Sequence, residues 1–250
     1  MIFTLARKEL RSLFASPLAW VVLAVLQFVL AWIFLMRLDS FMELQPRLAQ
    51  LANAPGVTEV VIAPLYSAAA VVLMMATPLL AMRLIAEERR NRTMTLLISA
   101  PISMTQIVLG KFVGLVLFLL MPVVMITATG MILKVGAEID FGLIGANVLG
   151  LALLLGTFAA VGVFASSLTR QPIVAAIVAL GLLVASWLAS LANPDPSSLV
   201  QMISVTRRFE SFNAGLVDSG DVIWQLLATA VFLVLTIRQL DRDRLVGQAI

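Results

Sequence analysis

Six stretches of this chain, residues 17–36, 60–82, 112–133, 141–168, 172–192 and 222–237, contain no Asp, Glu, Lys or Arg. A hydrocarbon core about 30 Å thick is crossed by about 20 apolar residues at 1.5 Å each, so the first five stretches are long enough to cross. The last is short, and snorkelling by Arg238 or local thinning of the bilayer accommodates it, with the crossing set at 220–238. Buried helices of a soluble bundle would instead show apolar runs of about 10–14 residues punctuated by charge. With 61% hydrophobic and 12% charged residues, the chain carries more apolar surface than a soluble domain of this size can hide. The expectation is an all-α membrane protein in which residues 1–250 form a single domain of six transmembrane helices.

Lysine and arginine decide the orientation, because they collect on the cytoplasmic side of crossings. With the amino terminus inside, twelve of the seventeen basic residues fall on the inner side and five on the outer. Both termini are therefore expected in the cytoplasm. The first apolar run is longer than a signal-peptide core and lacks the small residues of a cleavage site, so it is expected to stay as the first crossing. A net charge of +3 and a pI near 9.9 fit anionic lipid beside the crossings, not nucleic acid. Without cysteine or histidine, the chain has no disulfides, thiol nucleophiles or imidazole bases, and no metal site is expected.

Between the crossings lie three segments of interest. Residues 1–15 place Ile2, Phe3, Ala6, Leu10, Leu13 and Phe14 on one helical face and Arg7, Lys8 and Arg11 opposite, the pattern of a helix lying in the headgroup plane or of a basic flank that serves topology alone. The outer loop 37–59 is too short for a core of its own. Asn-Pro-Asp-Pro at 193–196 breaks the fifth crossing, and residues 194–217 continue semi-apolar through Phe209, Glu210 and Phe212, which reads as a short re-entrant or interfacial hairpin packed on the outer side. The third segment, 83–105, is charged and helix-forming. Its acids Glu87 and Glu88 precede Arg89, Arg90 and Arg92, in keeping with the helix macrodipole. Leu96 and Leu97 supply an apolar ridge, Pro101 ends the run, and Ser103 can cap the next helix with Gln106 completing a capping box. Physically it is either a solvated helix anchoring the second and third crossings or a docking surface.

The order Glu87, Glu88, Thr93, Leu96, Leu97, Ser99, Pro101, Ile102, Ser103, followed by Ile107 to Lys111, resembles the cytoplasmic coupling segment of type-2 ABC exporter permeases. Arg92 stands where many relatives have Gly, and Thr95 where many have Glu. The likeness continues in the amino-terminal Ala-Arg-Lys-Glu-Leu, in the turn Gly162 to Gln171, and in Phe209 to Val222, which is similar to the outer hairpin of gliding-motility type permeases. The resemblance implies an interfacial elbow helix at the amino terminus and a coupling helix between the second and third crossings. The implied contacts with a separate ATPase are Glu87, Glu88, Arg89, Arg90, Thr93, Leu96, Leu97, Pro101, Ser103 and Arg170. It further implies two copies of an ABC ATPase that hold the ATP and magnesium, a second permease copy in a homodimer or a sister permease, a periplasmic or membrane-anchored auxiliary subunit, and the bacterial inner membrane.

The chain itself lacks a phosphate cradle: Gly110-Lys111 is followed by Phe112 where Ser or Thr would hold magnesium, and no glycine stands five residues earlier. No ATP hydrolysis by this chain and no cofactor bound to it are expected. Polar residues within the crossings, Gln27, Thr77, Thr127, Thr129, Asn147, Ser186 and Gln225, are uncharged, which disfavours an ion-coupled carrier. Asn147 and Gln27 fit helix–helix hydrogen bonds better than substrate contacts. Small residues along the fourth crossing, Gly142, Gly145, Gly150, Gly156 and Gly162 with Ala159, Ala160 and Ala165, permit close approach either within the bundle or to a second copy. Two readings of function remain: an ATP-driven exporter subunit of unknown substrate, and a mechanical transmitter that drives an accessory protein without moving cargo. A secondary carrier is a remote third.

Overall fold

The structure, a computed structural model, describes residues 1–48, 56–91, 93, 103–135, 138–192 and 205–247. Among these the chain is helical, with no strand. In order, the helices are α1 (Ile2–Ala15), α2 (Pro17–Leu48), α3 (Ala63–Ala81), α4 (Arg83–Arg90), α5 (Met104–Met131), α6 (Phe141–Leu168), α7 (Pro172–Ala192), α8 (Arg207–Asn213) and α9 (Ser219–Gly247). One π turn, Thr58–Ile62, leads into α3, and a 3-10 turn, Ile132–Val135, closes α5. Six of the described helical stretches are long and apolar enough to cross a membrane, which makes this a multi-pass membrane protein.

Local chemistry sets the breaks. Ser16 is extended (φ −84°, ψ 123°) because it precedes Pro17, and Pro17 then opens α2 at the position where a missing N–H costs nothing. Asp140 caps α6 by accepting from the N–H groups of Gly142 (2.8 Å) and Leu143 (3.1 Å), and Ser103 caps α5 by accepting from the Gln106 N–H. Gly215, at φ +83°, ends α8 in the left-handed conformation that glycine adopts without penalty.

The inner helices are α3, α5 and α6. Of the most apolar stretch of each crossing, 61%, 56% and 67% is buried in these three, against 28%, 22% and 17% in the first, fifth and sixth. Helix α6 packs against α3, α5, α7 and α9, and so organises the bundle. Its small residues face its own neighbours: a Cβ added at Gly162 would lie 2.5 Å from the Ala81 Cβ, and one added at Gly150 would lie 2.4 Å from the Phe212 Cβ. Gly145 has open space around it. Gln225 links the fourth and sixth crossings, accepting from the Thr157 hydroxyl at 2.8 Å. Asn147 instead donates to the Leu143 carbonyl of its own helix.

Two boundaries differ from the hydropathy reading. Helix α2 continues through residues 37–48, and α3 with α4 carries helix past residue 82 as far as Arg90. Hydropathy marks where the lipid ends, whereas a helix continues until a breaker or an unfavourable cap stops it. Of the hairpin expected at 194–217, residues 205–217, which include α8, fall in the described residues; 193–204 lie outside them. Phe209 and Phe212 are buried and Glu210 is exposed. Arg208 donates to Asp221 at 2.7 Å and stands over the Trp224 ring, fastening α8 to α9. Because Phe212 rests directly on the bare backbone of Gly150, Gly150→Ala is expected to lift α8 and cost about 1–3 kcal/mol. Thermal unfolding in detergent measures this, and an unchanged midpoint would show that α8 is not seated there.

Candidate coupling surface

Lys111 lies inside α5 and is only 2% exposed. Its ammonium donates to Glu9 Oε1 of α1 at 3.0 Å and to Glu88 Oε1 of α4 at 2.7 Å. One cation therefore ties together the amino-terminal helix, the charged segment after the second crossing and the third crossing. A glycine seam permits it. A Cβ added at Gly110 would lie 2.5 Å from Leu5 Cβ, and one at Gly114 would lie 2.8 Å from Glu9 Cβ and 3.0 Å from the Ala6 carbonyl. With no side chain at either position, α1 lies against the backbone of α5, and Ala6, Glu9 and Leu13 form its buried face. Arg7, Lys8 and Arg11 are on the exposed side of α1.

A second contact controls how α4 leaves the membrane. Ser166 of α6 accepts from the backbone N–H groups of Ile85 (3.1 Å) and Ala86 (3.0 Å) and donates to the Met82 carbonyl (3.0 Å). In a continuous helix those two N–H groups would bond to the carbonyls of residues 81 and 82. Their diversion to a side chain of another helix separates α3 from α4 at Met82. The joint is buried, since Ile85 and Ala86 are both 0% exposed, so the hydroxyl satisfies groups that water cannot reach.

Beyond the joint the last four charges of α4, Glu87 to Arg90, diverge. Glu88 turns inward to Lys111 and Arg89 donates to Asp243 near the end of α9. Glu87 and Arg90 line a cleft of about 520 Å³ with Met82, Arg83, Gln171, Pro172 and Ile173. Arg170 is exposed and close enough to Arg89 for the two charges to repel. Thr93 is exposed and its hydroxyl donates to the Glu88 carbonyl at 3.3 Å. Leu96, Leu97 and Pro101 lie outside the described residues. The structure thus gathers Glu87 to Arg90 and Arg170 at one end of the bundle, while Ser103 serves as the cap of α5.

Glu9, Lys111, Ser166 and Asp243 were not among the candidate site residues, although Lys111 ends the Ile107 to Lys111 run noted in the sequence. Two of them carried a signal. Glu9 shares a helical face with Ala6 and Leu13, and an acid on an apolar face requires a buried partner. Lys111 interrupts an apolar helix between two glycines four residues apart, the spacing of a close helix contact.

Residues 3–195, from α1 through the fifth crossing, match a family model described as ABC-2 family transporter protein. No curated protein matches the chain.

Proposed function

The chain belongs to the ABC-2 family of transporter proteins, and on that premise we propose that it is the membrane subunit of a type-2 ABC exporter, driven by a separate ATPase. The observation that carries this reading is the Lys111 pairing with Glu9 and Glu88. A push on α4 from the cytoplasmic side would reach α1 and α5 through a buried ionic joint, and α9 through the Arg89–Asp243 pair. ATP and magnesium belong to the partner subunit, of which two copies are expected. A second permease copy completes the membrane unit, since six crossings are half of the usual exporter. The address is the bacterial inner membrane with both termini inside.

Docking is assigned to the segment around Leu96 and Leu97 together with the cleft bearing Glu87 and Arg90. Leu96→Asp or Leu97→Asp is expected to weaken ATPase association about thirtyfold or more, the loss typical of an interface anchor, while membrane insertion is retained. Co-purification and permease-stimulated ATP hydrolysis measure it. Normal assembly and stimulation in both variants would sink the reading.

A second reading has its own support at the outer end. Helix α2, with 32 residues, is about 48 Å long against a hydrocarbon core of about 30 Å, and α8 is anchored to α6 and α9. Such an outer surface suits a transmitter that works on a periplasmic accessory protein, as the likeness to gliding-motility permeases implies. Reconstituted complex in liposomes, assayed with ATP for cargo movement with and without the accessory subunit, separates the two.

A further inference from the structure

A cavity of about 410 Å³ opens between α1, the foot of α2 and the α3–α4 joint. Its depth relative to the bilayer is marked twice. The apolar span of α2 begins at Pro17, and Trp20, 57% exposed on the same helix, donates its indole N–H to the Phe14 carbonyl at 2.7 Å. A half-exposed tryptophan at the start of a crossing sits at headgroup level. The cavity walls follow the same division, with Leu18 and Leu79 on the membrane side and Lys8, Arg83, Glu87 and Glu88 on the other.

The charges in this cavity are poorly used by the protein. Arg83 and Glu87 are one helical turn apart, yet the guanidinium reaches away to the Ser16 hydroxyl at 3.4 Å. Among the described residues neither Glu87 nor Lys8 forms an ion pair. Glu88 gives one carboxylate oxygen to Lys111, and its other oxygen is buried without a hydrogen-bond partner. Two cations and the Glu87 carboxylate thus face a space that is apolar on its bilayer side. That is the complement of a zwitterion attached to acyl chains.

We propose that this cavity binds an amine-bearing phospholipid of the inner leaflet, with the phosphate at Lys8 and Arg83 and the ammonium at Glu87. The primary ammonium is the discriminating group, because it donates hydrogen bonds to carboxylates and a quaternary ammonium cannot. This inference needs only the membrane placement of the chain and does not depend on coupling to an ATPase.

The test is native mass spectrometry of the full-length chain in detergent with equal amounts of phosphatidylethanolamine, phosphatidylcholine and phosphatidylglycerol. Retention of the ethanolamine lipid is expected to exceed that of the choline lipid about tenfold, the worth of one charge-assisted hydrogen bond. Glu87→Gln is expected to remove most of that preference without changing the thermal midpoint, since Glu87 is partly exposed and forms no ion pair among the described residues, and Lys8→Gln is expected to lower retention of all three lipids. Equal retention of ethanolamine and choline lipids would overturn the proposal. So would a preference for phosphatidylglycerol that persists in Glu87→Gln, which would mean a plain cationic patch, or an ethanolamine preference that survives that variant.

Discussion

Lys111→Ala destabilises the bundle by about 3–5 kcal/mol, the expected result of removing one member of a buried ionic cluster. The carboxylates of Glu9 and Glu88 would remain on either side of the vacated site, where their side chains are only 9% and 18% exposed, with no cation between them. Their repulsion acts on the contact that holds α1 to α5. Arg7, Lys8 and Arg11 then become a sensitive readout, because trypsin cleaves them once α1 detaches. Cleavage is expected to rise about a hundredfold, matching a loss near the lower end of that range. A triple variant, Glu9→Met with Glu88→Met and Lys111→Met, should recover much of the stability, since replacing an entire buried ionic cluster by apolar groups of similar volume is often tolerated. If Lys111→Ala melts like the parent and its α1 stays protected, the ionic joint does not hold these helices together.

Ser166→Ala is the second large effect. It strands two buried backbone donors, each costing about 1–3 kcal/mol when unsatisfied, at Ile85 and Ala86. The chain can relieve that cost only by letting those N–H groups turn back to the carbonyls of residues 81 and 82, which straightens the joint at Met82. Straightening re-aims α4 and draws Arg89 away from Asp243. The chain contains no cysteine, so an Arg89→Cys, Asp243→Cys pair can be bridged by a short bifunctional thiol reagent without background. Bridging is expected to be efficient in the parent and to fall severalfold when Ser166→Ala is added. Equal bridging together with unchanged melting would show that the serine is incidental to the geometry.

The membrane crossings were legible because lipid imposes a length and an absence of charge, and both can be read residue by residue. Helix ends beyond the lipid were less so. Residues 37–48 are charged enough to look like loop, yet they contain no glycine, and their single proline, Pro46, lies near the end of α2. At the candidate site, the charges of α4 were visible as a group but their partners were not. Glu88 meets a lysine 23 positions away, Arg89 an aspartate 154 positions away, and Ile85 a serine 81 positions away. Periodicity reports which face of a helix is apolar, and says nothing about which distant helix will cover it. Lys111 was counted as a basic flank of the third crossing, a fair use of the topology rule, because charge bias assigns a side of the membrane and carries no information on burial.

The Glu9–Lys111 contact joins residues 102 positions apart, and this orders events during biosynthesis. A ribosome adding about 5–20 residues per second needs roughly 5–20 s to proceed from one to the other. Throughout that interval the nascent first helix has no seat and its acid no counter-ion, so it must wait in contact with water or headgroups while two crossings are threaded behind it. Only when the third arrives can α1 swing into place, so a helix made before all three crossings is among the last of that half to settle.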